Sequence, residues 1–237
     1  MARGRWIRSA TANRRSGSAG AYGVTARNPI ARSAQPQSLP CSLPIMLLSS
    51  PRMWSPEEGA CLGIPGITAH RAVHVGGDVA ESTVLVQGAG GAVGMCAVQL
   101  ARRAGARVIG TVRSSAEEPT VRAAGAHEVV LNDRSLQERV KTLAPGGLDH
   151  IVEVAFGANV DADVELLKVG GSIAAYATDN PTPKIPFWLM VFKNIRVFFL
   201  GSEDFPKEAK ISGSSGFERC PPGRMARVRD RRASSAL

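Results

Sequence analysis

The sequence predicts an α/β fold in which helices flank a doubly wound parallel sheet of about six strands. Short β-branched runs alternate with amphipathic runs through the middle of the chain, and the connections between them are short. A glycine-rich turn joins the first strand to the first long amphipathic run. Polar or glycine residues follow most of the strands, where a parallel sheet would bring them to one edge. These features together predict a Rossmann fold.

The positive charge of the chain is concentrated at its ends. The 237 residues include 29 Lys or Arg and 20 Asp or Glu, for a formal net charge of +9. Residues 1–56 contain eight Arg and no acid, and residues 211–237 contain six Arg and two acids. We predict a folded domain over residues 55–210, a disordered Arg/Ser/Pro-rich segment over 1–54 and a disordered basic tail over 211–237. The folded part is then mildly acidic, so we expect no nucleic-acid partner.

The N-terminal segment has two interpretations. An Arg-rich, Ser-rich start without acids is typical of an organellar transit peptide, which would make the protein mitochondrial. The alternative is non-native sequence from a mis-set start or a rearranged gene. The apolar run 45–48 is too short to span a membrane, and no signal-peptide pattern is present. We otherwise expect a soluble, cytoplasmic protein without a membrane partner.

The first elements lead into the glycine turn. Ser55 and Glu58 form a capping box that predicts a helix start, residues 63–66 break that helix, and residues 68–75 predict a second short helix. A strand is predicted at 83–87 and a helix at 93–103, which Gly105 ends. The segment between them is Gln87-Gly88-Ala89-Gly90-Gly91-Ala92-Val93-Gly94.

The elements after the turn alternate regularly. Further strands are predicted at 107–111, 128–131, 149–154, 172–177 and 196–200. Helices are predicted at 116–124 with Pro119 in the first turn, from a capping box at Ser135 to before Pro145, at 160–169 and at 187–193. We expect Gly170 and Gly171 to end the helix at 160–169.

The glycine turn has the composition of a pyrophosphate site. Glycine permits a tight turn and lets backbone N–H groups approach phosphate oxygens without a Cβ in the way. A helix that begins near Ala92 directs its N–H groups and positive dipole end at an anion. The alternative is an ordinary turn, but strand, helix and second strand all follow the βαβ pattern. We predict that a dinucleotide is held by Gly88, Gly90, Gly91, Ala92, Val93 and Gly94, with Gly94 allowing close packing of helix on strand.

The residues after the second strand favour a phosphorylated cofactor. NAD-binding units use an Asp or Glu there to bind the ribose hydroxyls. Here Arg113 and two serines follow the strand, and no acid occurs before Glu117. A cation and hydroxyls suit a 2′-phosphate, so we predict NADP(H); the alternative for Arg113 is a solvated loop residue. Other residues expected at carboxyl ends of strands are Asn132, Asn159, Ala177 and Gly201.

Other reactive side chains are interpreted as structural. The four cysteines lack metal-ligand spacing, which argues against a structural zinc site and for a reducing compartment. The four histidines show no carboxylate partner in the sequence. We therefore assign no metal site and no catalytic residue.

Three segments resemble the zinc-independent quinone oxidoreductases of the medium-chain dehydrogenase/reductase superfamily, in the zeta-crystallin-like branch. They are GACLGIPGITAHRAV at 59–73, VQGAGGAVG at 86–94 and AGAHEV at 124–129. The resemblance covers about residues 55–210 and implies a homodimeric, metal-free NADPH:quinone reductase that transfers hydride to a quinone or another α,β-unsaturated carbonyl. It assigns Thr68, Ala177 and Gly201 to the nicotinamide side, Arg113 to the adenosine phosphate, and Asn132 and Asn159 to adenosine and ribose contacts.

The sequence also departs from that family. Family members carry a GroES-like domain of about a hundred residues before the position of Ser55, and this domain supplies much of the substrate pocket. Residues 1–54 show neither its glycine-rich strands nor its length. The alternative hypothesis is therefore a truncated, non-catalytic nucleotide-binding fragment. A third hypothesis, nucleic-acid binding by the Arg-rich ends, has the least support.

Overall fold

The structure is a computed structural model, and it describes residues 63–201 and Phe205. The predicted helix start at Ser55 and the predicted disordered segments 1–54 and 211–237 lie outside these residues. Within the described part, no helix has the length and apolar character needed to cross a membrane.

Among the described residues, six parallel strands form a sheet in the spatial order β3-β2-β1-β4-β5-β6. The chain moves outward from β1 through β2 to β3, returns past β1 to β4, and then moves outward in the other direction. The strand order therefore reverses between β1 and β4, where ligands bind in sheets of this type. The doubly wound sheet predicted from the sequence is confirmed. Its strands are β1 Thr83–Val86, β2 Arg107–Val112, β3 Glu128–Leu131, β4 Leu148–Glu153, β5 Leu167–Ala175 and β6 Arg196–Phe199.

Helices cover both faces of the sheet because alternate strand residues point to opposite faces. Val84 and Val86 share one buried cluster with residues of the first three helices, and Leu85 shares the other with residues of the fourth and fifth. Both faces of β1 are therefore apolar, as expected for a central parallel strand. The helices are α1 Ile64–His74, α2 Ala92–Arg103, α3 Glu118–Ala123, α4 Leu136–Leu143, α5 Phe156–Leu166 and α6 Phe187–Phe192, and a 3₁₀ turn at Ser115–Glu117 precedes α3.

Two helices begin earlier than predicted. Helix α1 starts at Ile64, inside the expected break, because Pro65 lies in the first turn, where its missing N–H has no helical partner. Helix α5 starts at Phe156 rather than at residue 160, so Asn159 lies in its first turn and not in a loop. Phe156 is 1% exposed, and its packing into the core holds this early start.

Two local predictions were wrong. The predicted helix end at Gly170 and Gly171 falls inside β5, which begins at Leu167 and pairs with β4 through a register shift. The capping box predicted at Ser135 does not form, because the Ser135 hydroxyl donates to Asp133 Oδ1 at 2.7 Å. The same carboxylate accepts the backbone N–H of Ser135, so Asp133 rather than Ser135 organises the start of α4.

Candidate functional site

The glycine turn lies directly after β1, beside the point at which the strand order reverses. Gly88 has φ +66°, a conformation that glycine adopts without strain. The N–H of Gly91 donates to the carbonyl of Gly88 at 2.9 Å, and the N–H of Ala89 donates to the carbonyl of Thr111 on β2 at 2.8 Å. The turn is therefore closed on itself and tied to the neighbouring strand.

Gly94 permits the close approach of α2 to this turn. A Cβ at Gly94 would lie 2.8 Å from Cα of Ala89, and still closer to the carbonyl oxygen of Gly88. Because both neighbours are backbone atoms, neither can move aside without moving the turn. The position therefore requires glycine, as the sequence predicted for close packing of helix on strand.

The amino end of α2 presents unpaired N–H groups. The helix starts at Ala92 after an extended Gly91, and no side-chain bond caps it in the described structure. The N–H groups of Ala92, Val93 and Gly94 belong to the first turn and have no carbonyl partner within the helix. Gly91 and Ala92 are also exposed. N–H groups and a helix dipole in this arrangement are suited to an anion such as phosphate.

An acid lies beside the turn although the sequence places it beyond the end of β2. The backbone N–H of Arg113 donates to Glu117 Oε2 at 3.2 Å. The Glu117 carboxyl carbon also lies 2.9 Å from where a Cβ on Gly90 would stand. The 3₁₀ turn Ser115–Glu117 folds back and brings this side chain from a loop position to the glycine turn. Sequence reasoning missed this because it placed Glu117 by its distance along the chain.

A buried polar network lies beneath the glycine turn. Gln87, Thr111, Glu153 and Asp163 are each at most 1% exposed. Gln87 Nε2 donates to Asp163 Oδ1 at 3.0 Å, and Thr111 Oγ1 donates to Gln87 Oε1 at 2.8 Å. The N–H of Gly88 then donates to Thr111 Oγ1 at 2.9 Å. The network was not predicted, although polar residues in three adjacent strand ends were a signal for it.

Asp163 and Glu153 form a coupled pair in this network. Burial, together with the neighbouring charge and hydrogen bond of Glu153, raises the pKa of Asp163 well above its usual range. Two ionised carboxylates would leave Asp163 Oδ2 without a donor among the described residues. A proton on Asp163 would let Oδ2 donate a hydrogen bond, and the raised pKa favours this state.

Asn159 is held by Glu153. Its Nδ2 lies 3.1 Å from Glu153 Oε1 and 3.2 Å from Glu153 Oε2, and the N–H of Ala155 also donates to Glu153 Oε1. Asn159 therefore lies near the carboxyl end of β4, as predicted, but its amide group positions a carboxylate. Asn132 lies at the end of β3, is exposed and donates its N–H to the carbonyl of Val112 at 2.8 Å.

Ala177 and Gly201 line one cavity at the carboxyl ends of β5 and β6. The cavity has a volume of about 470 Å³ and includes Phe156, Tyr176 and Phe199 in its walls. Burial and the negative charge of Glu153 raise the pKa of Tyr176, so its phenol stays protonated. The structure thus brings two of the predicted residues together.

Arg113 and Thr68 lie in different surroundings. Arg113 is exposed directly after β2, beside the glycine turn. Thr68 is 5% exposed on the buried face of α1, which packs against α2.

His150 is buried and hydrogen-bonded through both ring nitrogens. His150 is 3% exposed at the amino end of β4, with Nδ1 2.8 Å from Ser172 Oγ and Nε2 2.7 Å from the carbonyl of Ala72. The glycine turn lies at the opposite side of the sheet, at the carboxyl ends of the strands. Over residues 63–201, no group of three His, Cys, Asp or Glu could hold a metal ion.

Comparison with known proteins connects this site to a family. The sequence profile described as zinc-binding dehydrogenase matches residues 92–212. A quinone oxidoreductase from Lama guanicoe is 32% identical over 160 residues, and one from Rattus norvegicus is 40% identical over 120 residues. The crystal structure of a quinone oxidoreductase from Thermus thermophilus, which was also solved in complex with NADPH, is similar with a TM-score of 0.63 and 30% sequence identity.

The matches cover part of each protein. They span 65% of this chain and 48% of the Lama guanicoe enzyme, and 49% of this chain and 36% of the Rattus norvegicus enzyme. The Thermus thermophilus match covers 70% of this chain and 54% of that chain. The chain thus spans between about a third and about a half of these relatives. The resemblance to the cofactor domain of quinone oxidoreductases is confirmed, and the chain belongs to the zinc-binding dehydrogenase family.

Proposed function

We propose that residues 55–210 form the NADPH-binding domain of an oxidoreductase that transfers hydride from NADPH to a quinone or another α,β-unsaturated carbonyl. The observation that carries this proposal is the uncapped amino end of α2, packed on the glycine turn where the strand order reverses. The NADPH complex of the similar Thermus thermophilus enzyme supports the choice of cofactor.

The described residues fit the parts of this cofactor. We assign the pyrophosphate to the N–H groups of Ala92, Val93 and Gly94, with Gly88, Gly90 and Gly91 shaping the turn. We assign the 2′-phosphate to exposed Arg113, and the adenosine and ribose contacts to Asn132 and Asn159. Thr68, Ala177 and Gly201 are assigned to the nicotinamide side. When bound, NADPH supplies the hydride, and the protein contributes binding and orientation.

The cavity beside Ala177 and Gly201 would form one wall of the reaction site. Phe156 and Phe199 give it an apolar surface, which would exclude water from the reacting carbon. Tyr176 supplies a protonated phenol at this wall. The chain covers about half the length of its relatives, and the remaining walls of the reaction site are outside the described residues. Binding of NADPH without turnover is therefore the alternative outcome.

We also propose a homodimer through the β6 edge of the sheet. Helix α6 has no buried residue among its six, and its side chains include Trp188 at 67% and Phe192 at 75% exposure. Phe199 on the adjacent β6 is 71% exposed. An exposed apolar surface beside a strand edge that no described strand covers suits a second copy, which would cover both.

A cytoplasmic location completes the proposal. Cys96 is buried in α2, which is compatible with a reducing compartment. Fractionation of cells that express the tagged full chain would test it, since recovery in an organelle would support the mitochondrial alternative.

The first test is binding followed by turnover. We expect the purified full chain to bind NADPH in a fluorescence titration and to oxidise it, followed at 340 nm, when 1,4-benzoquinone is added. Binding without oxidation would support a nucleotide-binding fragment. Failure to bind NADPH would overturn the proposed function.

Two variants locate the binding site. Gly94→Ala places a Cβ against backbone, so we expect at least tenfold weaker NADPH binding, whereas Gly146→Ala has open space around its Cβ and serves as the matched control. Ala92→Pro removes one N–H from the first helical position, where proline is tolerated. It should weaken binding roughly tenfold at an unchanged melting temperature, since a charge-assisted hydrogen bond is lost. Unchanged affinity in both variants would place the nucleotide elsewhere.

A further inference from the structure

We infer that Glu117 is a specificity-determining residue of the nucleotide site, where its carboxylate favours an adenosine ribose with a free 2′-hydroxyl and lowers the preference for NADPH over NADH. The inference rests on the proposed function, because it concerns the adenosine end of the same site. It follows from the position of Glu117 between the end of β2 and the glycine turn.

The position of this carboxylate is set by the backbone around it. Glu117 Oε2 accepts the N–H of Arg113, the first residue after β2, at 3.2 Å. Its carboxyl carbon lies against Gly90, within 2.9 Å of an added Cβ. The Ser114 side chain accepts the N–H of Ala116 at 3.3 Å and caps the short 3₁₀ turn that carries Glu117. The acid is therefore held at the end of β2 by local structure.

This location has a chemical consequence for the adenosine ribose. In dinucleotide-binding sheets, an acid at the end of the second strand accepts hydrogen bonds from ribose hydroxyls. A 2′-phosphate at the same place has no hydroxyl to donate and carries up to two negative charges. The carboxylate of Glu117 therefore repels NADPH while the guanidinium of Arg113, which leaves the same strand end, attracts it. The sequence pattern alone predicts the attraction by Arg113 and does not predict the repulsion by Glu117.

The neighbouring acid provides a matched control. Glu118 has the same charge and follows Glu117 directly, and it lies at the start of α3, where its Oε1 pairs with Arg122 Nε at 2.9 Å. Both variants, Glu117→Gln and Glu118→Gln, remove one negative charge from adjacent residues and keep the side-chain shape. A general electrostatic effect would change the preference between NADPH and NADH in both variants. A carboxylate at the ribose site would change it in Glu117→Gln alone.

The experiment measures dissociation constants for NADPH and NADH by fluorescence titration of the full chain and both variants. We expect Glu117→Gln to raise the ratio of the NADH constant to the NADPH constant about tenfold, from Coulomb repulsion by a phosphate dianion across roughly 7 Å of water. Glu118→Gln should change the ratio less than twofold. Adenosine 2′,5′-bisphosphate and AMP, used as competitors, should show the same shift, because the effect belongs to the adenosine end.

The outcomes distinguish a failure of the inference about Glu117 from a failure of the proposed function. If the wild-type chain binds NADPH but Glu117→Gln leaves the ratio within twofold, the inference is wrong and the proposed function stands. A parallel change of both affinities would also overturn it, because a purely structural role predicts no discrimination. If neither the wild-type chain nor the variants bind nucleotide while all keep the same melting temperature, the proposed function fails and the inference fails with it.

Discussion

Gln87 Nε2 donates a hydrogen bond to Asp163 Oδ1 at 3.0 Å, joining the end of β1 to α5 across the interior. Because the amide nitrogen faces Asp163, the amide oxygen faces Thr111 and accepts its hydroxyl proton. The Thr111 oxygen is then oriented to accept the N–H of Gly88. A single direction of donation thus runs from the glycine turn to Asp163, and the turn depends on groups that never reach the surface.

The protonation of Asp163 can be tested with two substitutions. Asp163→Asn keeps the shape and supplies both an acceptor for Gln87 and a donor for Glu153. Asp163→Leu removes both partners and should lower the free energy of unfolding by about 2–4 kcal/mol. Urea denaturation at pH 7 measures both variants. A loss in Asp163→Asn equal to that in Asp163→Leu would show that Asp163 acts as an anion.

The pH dependence of the same pair has a defined sign. The pKa of Asp163 is raised above its ordinary value of 3.8, so its contribution to stability is fully present below pH 3.8 and is lost as the pH rises. Asparagine does not titrate. We therefore expect Asp163→Asn to gain stability relative to the wild type between pH 5 and pH 8. An unchanged difference in the free energy of unfolding would contradict a raised pKa.

For His150, at the amino end of β4, we expect the opposite pH dependence of stability. Burial lowers the pKa of His150 below its ordinary value of 6.5, so its contribution is present above pH 6.5 and is lost as the pH falls. Denaturation at pH 7.5 and pH 5 should show a smaller acid loss in His150→Gln than in the wild type. At pH 7.5 this variant should be about 1–3 kcal/mol less stable, because Ser172 or Ala72 loses a partner. An equal acid loss in both proteins would assign the pH dependence to other groups.

Lys193 should stabilise the carboxyl end of α5. Its Nζ donates to the carbonyls of Val164 and Glu165 at 2.8 and 2.9 Å, which the last turn of the helix leaves without internal partners. It also donates to the carbonyl of Leu167, the first residue of β5, at 2.8 Å. Lys193→Met should therefore lower the free energy of unfolding by about 1–3 kcal/mol. Exposed Lys184 provides the control, since Lys184→Met should change it by less than about 0.5 kcal/mol. Equal effects in thermal denaturation would argue against a specific role.

The proposed homodimer predicts a change of mass. Trp188 and Phe192 stack on the exposed side of α6 with ring centroids 6.0 Å apart. Trp188→Glu would place a charge in the proposed interface, so light scattering after size-exclusion chromatography should show a monomer where the wild type is a dimer. Lys184→Glu should remain dimeric. A monomeric wild-type chain at tens of micromolar would rule out this interface.

The sequence predicted the order and type of elements because each strand and helix has its own periodicity. Local patterns failed where distant residues decide the structure. The early start of α5 depends on the core packing of Phe156 and on Glu153, which holds both Ala155 and Asn159. The Gln87–Asp163 bond joins residues 76 positions apart, and no local window contains both.

The sequence predicted the backbone of the candidate site, but it did not predict the acidic side chains that lie beside it. Glycine spacing and a following amphipathic run indicate a phosphate turn because backbone conformation depends on local sequence. Glu117 was missed because a 3₁₀ turn changes its place relative to β2. An acid that is absent from the end of β2 in the sequence is therefore present there in the structure.

The contact between Gly94 and the Gly88 carbonyl also bears on the thermodynamics of association. Because helix and turn pack backbone against backbone, the proposed phosphate site has little room to change shape when a ligand binds. A preorganised cradle loses little conformational entropy when it captures an anion, so most of the entropic penalty belongs to the nucleotide. Calorimetric titration of pyrophosphate and of the whole dinucleotide should therefore show that the unfavourable entropy grows with the flexible length of the ligand.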